Sequence, residues 1–307
     1  MAKFNYVEKD GAMLDQKITE GLMTTAIGNA DVNLVAGGKS FTLRTISTSG
    51  LKAHTRGKGY NEGIIEDSKK VYTMGQDRDI EFFIDQQDVD ETNQELAMGN
   101  ISNVFITEHV QPELDAYRFA KMAQGAQATG QLDTTKLTKS NVYGAIKDAI
   151  MPLRKYGPQN IVGFLSSDAM NKLEQSTEFT RTITNQNVAG TALNSRIASI
   201  DGIQLIEVWD GARFMSNYDF SDGFKATGDA QNINFMFVSK PSIIQVVKEN
   251  AVYLFAPGEH TEGDGYLYQN RLYHDLFIRD SRKDGIVANL SKASTATPTS
   301  APAPDKQ

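Results

Sequence analysis

The sequence predicts an α+β fold organised around one long helix. Residues 85–124 form the longest stretch compatible with a single helix. Strand patterns, with apolar side chains at alternate positions, precede this helix between residues 39 and 85 and return after residue 243. Between the helix and the returning strands, helical and strand patterns alternate from residue 138 to residue 240, which indicates an inserted α/β unit.

Composition limits the classes to which the chain can belong. Of its 307 residues 40% are apolar, its mean hydropathy is -0.39, and no apolar run approaches the roughly 20 residues that cross a bilayer. The first residues lack the apolar segment of a signal peptide, so we expect synthesis and retention in a cytoplasm, with no membrane partner. The absence of cysteine excludes disulfides, thiolate zinc sites and a cysteine nucleophile.

Charge is unevenly distributed along the chain. The net charge of -7 argues against tight nucleic-acid binding over a broad face, because phosphate contacts need clustered lysine and arginine. The segment from residue 52 to residue 70 departs from this average and is mildly basic and rich in glycine. It contains Lys52, Arg56, Lys58, Lys69 and Lys70 against Glu62, Glu66 and Asp67. A solvated loop is the simplest explanation, and a contact surface is the alternative.

Two strand patterns after an N-terminal arm predict a long ribbon. In the first, Phe41 and Leu43 alternate with polar residues; in the second, between residues 69 and 85, Ile80, Phe82 and Ile84 share a face. About twenty residues connect them, which is long for a hairpin in a compact domain. Because a two-stranded ribbon is marginal alone, we expect it to lie on a neighbour.

The long helix carries apolar side chains on two opposite sides. At about 100° per residue, two sets separate. They are Val89, Leu96, Val110, Leu114 and Tyr117 on one side, and Met98, Ile101, Phe105, Phe119 and Ala123 on the other. Two stripes require cover on both sides, either in an ordinary core or partly from outside the subunit. Asp88 or Asp90 can cap the helix, and Pro112 predicts a kink but not an end.

The inserted unit begins with a helix that Ser140 can cap. A buried strand follows, and Ser167 or Asp168 can cap a second helix. Residues 179–198 are polar and predict a loop. The last residues, from 291 onwards, hold three of the eight prolines and few large apolar side chains, so we expect a disordered tail.

No motif in the sequence predicts catalysis. None of the four histidines has metal-ligand spacing, although His274-Asp275 matches a dipeptide of metal-dependent phosphohydrolases, which need several more ligands. Asp88 begins a calcium-loop pattern, but Asn93 stands where that loop requires glycine. Gly57-Lys58-Gly59 lacks the strand-to-helix context of a phosphate-binding loop. We therefore predict no catalytic, cofactor-binding or metal-binding residues, and no enzyme.

Four segments together resemble a known family. They are SFTLRTISTSGL, DRDIEFFIDQQDVDETN, VQPELDAYRFAKMA and RLYHDLFIRDSRKDGIVAN. In this order they resemble the major capsid protein of tailed bacteriophages of the siphophage type, whose fold is the Hong Kong 97 type. The similarity covers nearly the whole chain except the tail, and its motifs are moderately specific because they recur together.

The resemblance implies a division of the chain and a contact surface. The division is an N-terminal arm (1–36), an extended β-ribbon loop (37–87), a peripheral domain with the spine helix (88–129 and 241–290), an axial domain (130–240) and the tail (291–307). The ribbon is expected to reach over an adjacent subunit. Its candidate inter-subunit contacts are Arg44, Lys52, Arg56, Lys58, Lys69 and Lys70.

The implied function is that of a structural subunit of an icosahedral phage head. Identical subunits, in pentamers and hexamers, assemble the shell that encloses packaged double-stranded DNA without sequence-specific binding. A separate scaffold protein and a portal protein at one vertex are the other expected partners. Three alternatives stay open: an encapsulin-like compartment for enzyme cargo, a metal-dependent phosphohydrolase and an isolated binding module.

Overall fold

The computed structural model describes most of the chain. The described residues are 22–28, 39–54, 56–57, 59–86, 98–176, 199–261 and 263–292. Most of the predicted arm, the caps at Asp88 and Asp90, the loop at 179–198 and the tail after Lys292 lie outside these ranges.

Strands make up the larger part of the described fold. In chain order they are β1 (Ser40–Thr48), β2 (Ile65–Thr73), β3 (Gln76–Asp85), β4 (Leu132–Asp133), β5 (Ile161–Ser166), β6 (Ser199–Ile200), β7 (Ile203–Val208), β8 (Tyr218–Asp219), β9 (Lys225–Ala226), β10 (Gln231–Ser239), β11 (Ile243–Phe255), β12 (Gly265–Ile278) and β13 (Ile286–Lys292). The helices are α1 (Met98–Phe105), α2 (Gln111–Ala128), α3 (Val142–Ile150) and α4 (Ser167–Glu174).

Strands β1 and β2 form the ribbon, as an antiparallel pair with Phe41 opposite Tyr72. The sequence predicted one continuous second strand over residues 69–85, and this prediction is wrong. The chain breaks at Met74 and Gly75, and β3 then pairs with β12 in a separate sheet of order β11–β12–β3. Residues 49–64 connect β1 to β2, so the connection is somewhat shorter than the sequence predicted.

The long helix is continuous past Pro112, as predicted. Helix α1 runs into a π-helical turn at Ile106–Val110 and then into α2. The backbone N–H of Gln111 bonds to the carbonyl of Ile106 in the wider π pattern, immediately before the proline. Because proline has no N–H to donate, this local widening lets the helix continue without an interior break.

A six-stranded mixed sheet forms the second half of the fold, in the order β4–β13–β10–β5–β7–β6. Helices α3 and α4 pack on one face around Ile146 and Leu173, whereas α2 packs on the other face through Phe119 and Met122. The final strand, β13, belongs to this sheet, since it pairs with β10 and β4. The division into peripheral and axial domains stays a prediction.

The helix caps differ from the predicted ones. Helix α4 is capped by Ser166, whose hydroxyl accepts from the backbone N–H of Ala169 at 3.2 Å. Ser166 is the last extended residue of β5, and an N-cap residue must be non-helical, whereas Ser167 and Asp168 already lie in the helix. Asn141, not Ser140, is the residue before α3.

Candidate functional site

An aromatic cluster fixes the base of the ribbon to the body. Phe41 stacks on Tyr72 with ring centroids 5.4 Å apart, and both rings meet the edge of Phe277 at 5.3 Å. Met74 and Ile244 complete this small core. The aromatic cluster therefore anchors one face of the ribbon on strands β11 and β12.

A buried carboxylate holds the turn that leads from the ribbon into β3. Asp275 accepts from the backbone N–H of Gly75 at 2.8 Å and from the hydroxyl of Tyr117 at 2.7 Å. The hydroxyl of Tyr273 donates to the carbonyl of Met74 at 3.1 Å. Helix α2, strand β12 and the ribbon are thus joined at one point.

Beyond the base, the outer face of the ribbon is open to solvent and carries three large apolar side chains among charged and polar ones. The register places Val71, Ile46 and Ile65 on the same face, opposite Thr42, Asp67 and Thr48 respectively. Their exposed fractions are 60%, 63% and 75%. Side chains of this type are normally buried, and each gains about 1–2 kcal/mol when covered. This face, which we call the outer face, is suited to contact with another molecule.

The ribbon tip, residues 49–64, also exposes large apolar side chains. Leu51 and Tyr60 are fully exposed, and Ile64 is exposed by 63%. The tip is closed by a hydrogen bond from the backbone N–H of Ser49 to the carbonyl of Ile64 at 2.9 Å. Single exposed apolar side chains are common on protein surfaces, but three large ones at the end of a two-stranded ribbon form an apolar patch.

The six predicted contact residues occupy different positions on the ribbon. Arg44 and Lys69 lie opposite each other on the outer face, where Arg44 also pairs with Asp67 at 3.3 Å. Lys52 donates to the carbonyl of Glu62 at 2.8 Å. Arg56 is exposed in the turn of the tip, and Lys58 lies outside the described residues.

Lys70 points to the opposite face and is paired within its own chain. It forms a salt bridge with Asp280 and lies 5.2 Å from the ring centroid of Tyr72. The hydrogen bond to Asp280 raises the pKa of the lysine, and the same contact lowers the pKa of the carboxyl group. Lys70 therefore orients the ribbon relative to its own body.

The first described segment, residues 22–28, is held against the long helix by the buried carboxylate of Asp115. Asp115 is fully buried and accepts from the backbone N–H of Thr24 at 3.1 Å and from its hydroxyl at 2.8 Å. Arg118 donates to the same hydroxyl at 2.8 Å, and Arg213 reaches Asp115 at 3.3 Å. This network joins the arm segment, α2 and the inserted unit.

The two-sided helix takes its cover from its own chain. Leu114 packs against Tyr268 and Leu272 of the three-stranded sheet, whereas Phe119 and Met122 pack into the six-stranded sheet. For α2 the ordinary-core alternative therefore holds, whereas Val89, Leu96 and the side chain of Ile101, which belong to the two predicted stripes, lie outside the described residues. Among the described residues, α2 exposes no large apolar side chain, whereas the ribbon and its tip expose six.

The dipeptide His274-Asp275 has a structural role in the core. Burial lowers the pKa of His274 to about 3, with Arg118 and Arg78 acting in the same direction, so its imidazole is neutral. Asp275 is satisfied by Gly75, Tyr117 and the backbone N–H of Leu276 at 2.8 Å. No group of three or more acidic or histidine side chains in the described part of the chain is placed to hold a metal ion.

Sequence reasoning found the ribbon but missed the exposed apolar side chains of its outer face and of its tip. The missed residues are Ile46, Leu51, Tyr60, Ile64, Ile65 and Val71. Alternation places Ile46 on one face of β1, but the face of Ile65 and Val71 follows only once the start of β2 is known. The predicted contact residues are all charged because a cluster of charged residues can be recognised in the sequence without knowing how β1 and β2 pair.

Comparison with known proteins adds the class of fold. No protein-family model matches the chain, and no curated protein sequence matches it significantly. Solved phage structures match it across most of its length. The mature capsid of bacteriophage PhiM1 is 12% identical, covers 87% of this chain and 91% of that one, and has a TM-score of 0.61. The capsid of the cyanophage P-SCSP1u is 14% identical, with 86% of both chains covered and a TM-score of 0.57.

A chain from the structure of Gordonia phage Cozz is similar to the same degree, at 11% identity, with 88% of this chain and 87% of that one covered and a TM-score of 0.60. The chain therefore has the fold of phage capsid structures, and the predicted Hong Kong 97-like α+β fold is confirmed. Among the residues that the structure describes, no helix combines the length and the apolar composition needed to cross a membrane.

Proposed function

We propose that this protein is the major structural subunit of a bacteriophage head and assembles with copies of itself into an icosahedral shell around packaged double-stranded DNA. The observation that carries the proposal is the ribbon, which is anchored at one end and exposes an apolar face and tip. The capsid fold supports it, since the similar PhiM1 and P-SCSP1u structures are capsids.

The energetics of the ribbon favour contact with identical copies. A two-stranded sheet is marginal in water, and three outer-face side chains gain about 1–2 kcal/mol each when covered. In a closed symmetric shell every subunit gives and receives the same contact, so modest contacts accumulate. Arg44, Lys52, Arg56 and Lys69 add charge around the apolar residues and serve, with Lys58, as the candidate polar contacts.

The remaining partners follow from the same proposal. The subunits form pentamers and hexamers, with a separate scaffold protein during assembly and a portal protein at one vertex. The protein is made in the host cytoplasm and resides in the virion. It needs no cofactor and carries no enzymatic activity. The net charge of -7 suits a container that encloses DNA without binding it tightly.

An assembly assay on ribbon variants tests the proposal. The triple variant Ile46→Ser/Ile65→Ser/Val71→Ser removes exposed apolar groups and should leave the subunit folded, because these side chains make little contact in their own chain. The charge reversal Lys52→Glu/Arg56→Glu/Lys58→Glu tests the tip separately. We expect normal circular dichroism and loss of particles by negative-stain electron microscopy in both.

A matched control places the same change elsewhere. Met151→Ser also removes an exposed apolar side chain, but on the inserted unit, and leaves the ribbon unchanged. Particles of normal yield from both ribbon variants would contradict the proposal. The nucleic acid content of purified particles distinguishes a genome container from a compartment that holds enzyme cargo.

A further inference from the structure

Strand β3 leaves one long edge of the three-stranded sheet open. It pairs only with β12, and among the described residues no other strand lies beside it. The backbone N–H of Gln86 donates to the carbonyl of Asp264 and extends this ladder by one pair. Because an antiparallel strand bonds to its neighbour through every second residue, the N–H and C=O groups of the odd-numbered residues from 77 to 85 point to the open edge. Such an edge can pair with an extended segment.

A cleft of about 350 Å³ lies beside the open edge, between β3, β12 and the long helix. Apolar side chains form much of its lining. They are Ile80, Phe82, Phe105, Val110, Leu114 and Leu272. A cleft of this volume admits one or two large side chains but no folded element. An open strand edge next to such a cleft favours an extended segment, which bonds through its backbone and inserts alternate side chains.

Polar contacts hold the walls of the cleft in place. Arg78 pairs with Glu113 at 2.7 Å and also donates to the backbone carbonyl of Phe220, so one guanidinium joins helix α2, strand β3 and the loop after β8. Because these groups satisfy one another, the cleft is formed before anything enters it, and binding there needs little rearrangement.

The opposite face of β3 is acidic. Its side chains alternate with those that face the long helix, and they include Asp77, Asp79, Glu81 and Asp85. Arg271 pairs with Asp77 at 2.8 Å. Asp79 and Glu81 are exposed, and neither forms a salt bridge with another described residue. These two carboxylates therefore favour basic side chains in whatever segment lies along the edge.

We propose that β3 receives an extended segment of a different protein, in which basic and large apolar side chains alternate. The segment adds a fourth strand to the open edge. Its apolar side chains enter the cleft beside Ile80 and Phe82, and its basic side chains lie beside Asp79 and Glu81 on the other face. The cross-strand pairs on both faces favour the same register. This interaction goes beyond the proposed function and does not depend on it.

Charge argues against β3 of a second copy as the occupant. Pairing of two β3 strands would bring two acidic faces together, and like charges on directly opposite residues destabilise a strand pair. The net charge of -7 acts in the same direction, because it repels other copies of the chain and attracts a basic segment.

Peptide binding to the purified full-length protein tests the inference. The probe is a fluorescein-labelled peptide of strand length in which lysine and leucine alternate, used at a concentration where it is monomeric. One control peptide has the same residues in two blocks, and the other has glutamate in place of lysine. We expect fluorescence anisotropy to show at least tenfold tighter binding of the alternating lysine peptide than of either control.

Two substitutions at one position separate the backbone contact from the charge. Glu81→Gln removes the carboxylate and keeps the N–H group, whereas Glu81→Pro removes both. Because this N–H group points to the open edge, proline leaves the ladder to β12 intact and should not alter the circular dichroism spectrum. We expect Glu81→Pro to weaken binding of the alternating lysine peptide at least tenfold relative to Glu81→Gln.

A charge placed in the cleft tests the apolar contacts. Ile80→Lys puts an ammonium group at the half-exposed mouth of the cleft and should weaken peptide binding at least tenfold, with an unchanged circular dichroism spectrum. Met151→Lys adds the same charge at an exposed apolar position of the inserted unit and should bind the peptide like the natural chain.

Equal affinity for the alternating and block peptides, or equal affinity of Glu81→Pro and Glu81→Gln for the alternating lysine peptide, overturns the inference. Self-association that Glu81→Pro abolishes, without peptide binding, assigns the edge to a second copy and also overturns it. Particle assembly by the natural chain is measured separately, so none of these results contradicts the proposed function.

Discussion

The backbone N–H of Gly75 donates a 2.8 Å hydrogen bond to the carboxylate of Asp275 at the point where the ribbon joins the body. The same carboxylate accepts from Tyr117 on the long helix at 2.7 Å. The buried carboxylate of Asp275 therefore sets the direction in which the ribbon leaves the body, and Tyr117 of the long helix holds that carboxylate in place. In the proposed shell, where the same interface repeats by symmetry, this contact gives every ribbon the same direction at its base.

Removing this carboxylate should destabilise the subunit strongly. Asp275→Ala leaves the hydroxyl of Tyr117 and two backbone N–H groups without their acceptor, and we expect a loss of about 3–5 kcal/mol in the free energy of unfolding. Tyr117→Phe removes one hydrogen bond to a charged group and should cost about 1.5–3 kcal/mol. Urea unfolding of the isolated subunit measures both. Losses below about 0.5 kcal/mol in both variants contradict this role.

His274 should make the subunit sensitive to acid. Its pKa is about 3 in the folded chain against an ordinary value of 6.5, so below pH 6.5 the unfolded chain binds one more proton than the folded chain. The free energy of unfolding is then complete above that pH and falls by up to about 1.4 kcal/mol per unit as the pH drops toward 3.

The variant His274→Gln isolates this effect from other acidic groups. Urea unfolding at about pH 7 and about pH 4.5 should show a pH-dependent loss that is about 2–3 kcal/mol larger in the natural chain than in the variant. Parallel pH profiles for the two proteins would show that the imidazole is not buried in its neutral form.

Two helical glycines should respond in opposite ways to the same substitution. A Cβ at Gly144 meets no atom within 4 Å, so Gly144→Ala should stabilise the subunit by about 0.5–1 kcal/mol through helix propensity. A Cβ at Gly125 would lie 2.0 Å from Cδ1 of Ile278. Because of this clash, Gly125→Ala should not stabilise the subunit, although alanine has the higher helix propensity. Ile278→Val removes that methyl group.

Thermal unfolding of the four variants tests the close approach of α2 to β12. Gly125→Ala should be more favourable by about 1 kcal/mol in the Ile278→Val background than in the natural one. Gly144→Ala should not depend on Ile278. Additive effects at positions 125 and 278 contradict the predicted contact.

Removal of the Thr24 hydroxyl should weaken the contact between the arm segment, residues 22–28, and helix α2. Thr24→Val removes a donor to buried Asp115 and an acceptor for Arg118, and we expect a loss of about 1–3 kcal/mol together with faster amide exchange at residues 22–28. Thr25→Val removes an exposed hydroxyl that bonds to the carbonyl of Leu22 and serves as the control. Equal amide-exchange rates at residues 22–28 in Thr24→Val and Thr25→Val would contradict this role of Thr24.

Much of the fold follows from patterns within single elements. Strand β5 is an almost continuous apolar run, β7, β10 and β13 are rich in apolar residues, and the long helix has helical periodicity that continues past Pro112, so all were predictable. The break at Gly75 was not, because residues 69–85 alternate like one strand and only the pairing of β3 with β12 separates them. The predicted cap of α4 was wrong by one residue for a similar reason. Ser166 and Ser167 are both good capping residues, and the position at which β5 ends decides between them.

The candidate site was predicted less completely than the fold. Clustered cations mark the ribbon in the sequence, but Lys70 turns out to pair with Asp280 in its own chain. The exposed Ile46, Ile65 and Val71 are unremarkable as single residues and become a surface only through the β1–β2 register. Partner contacts made by whole faces are therefore harder to predict than those made by charge runs.

Cryo-electron microscopy of the purified protein tests the central claim most directly. The account predicts closed icosahedral shells in which the outer face of each ribbon, at Ile46, Ile65 and Val71, is covered by a neighbouring copy. A stable monomer at high protein concentration, or shells in which that face remains open to solvent, would contradict it.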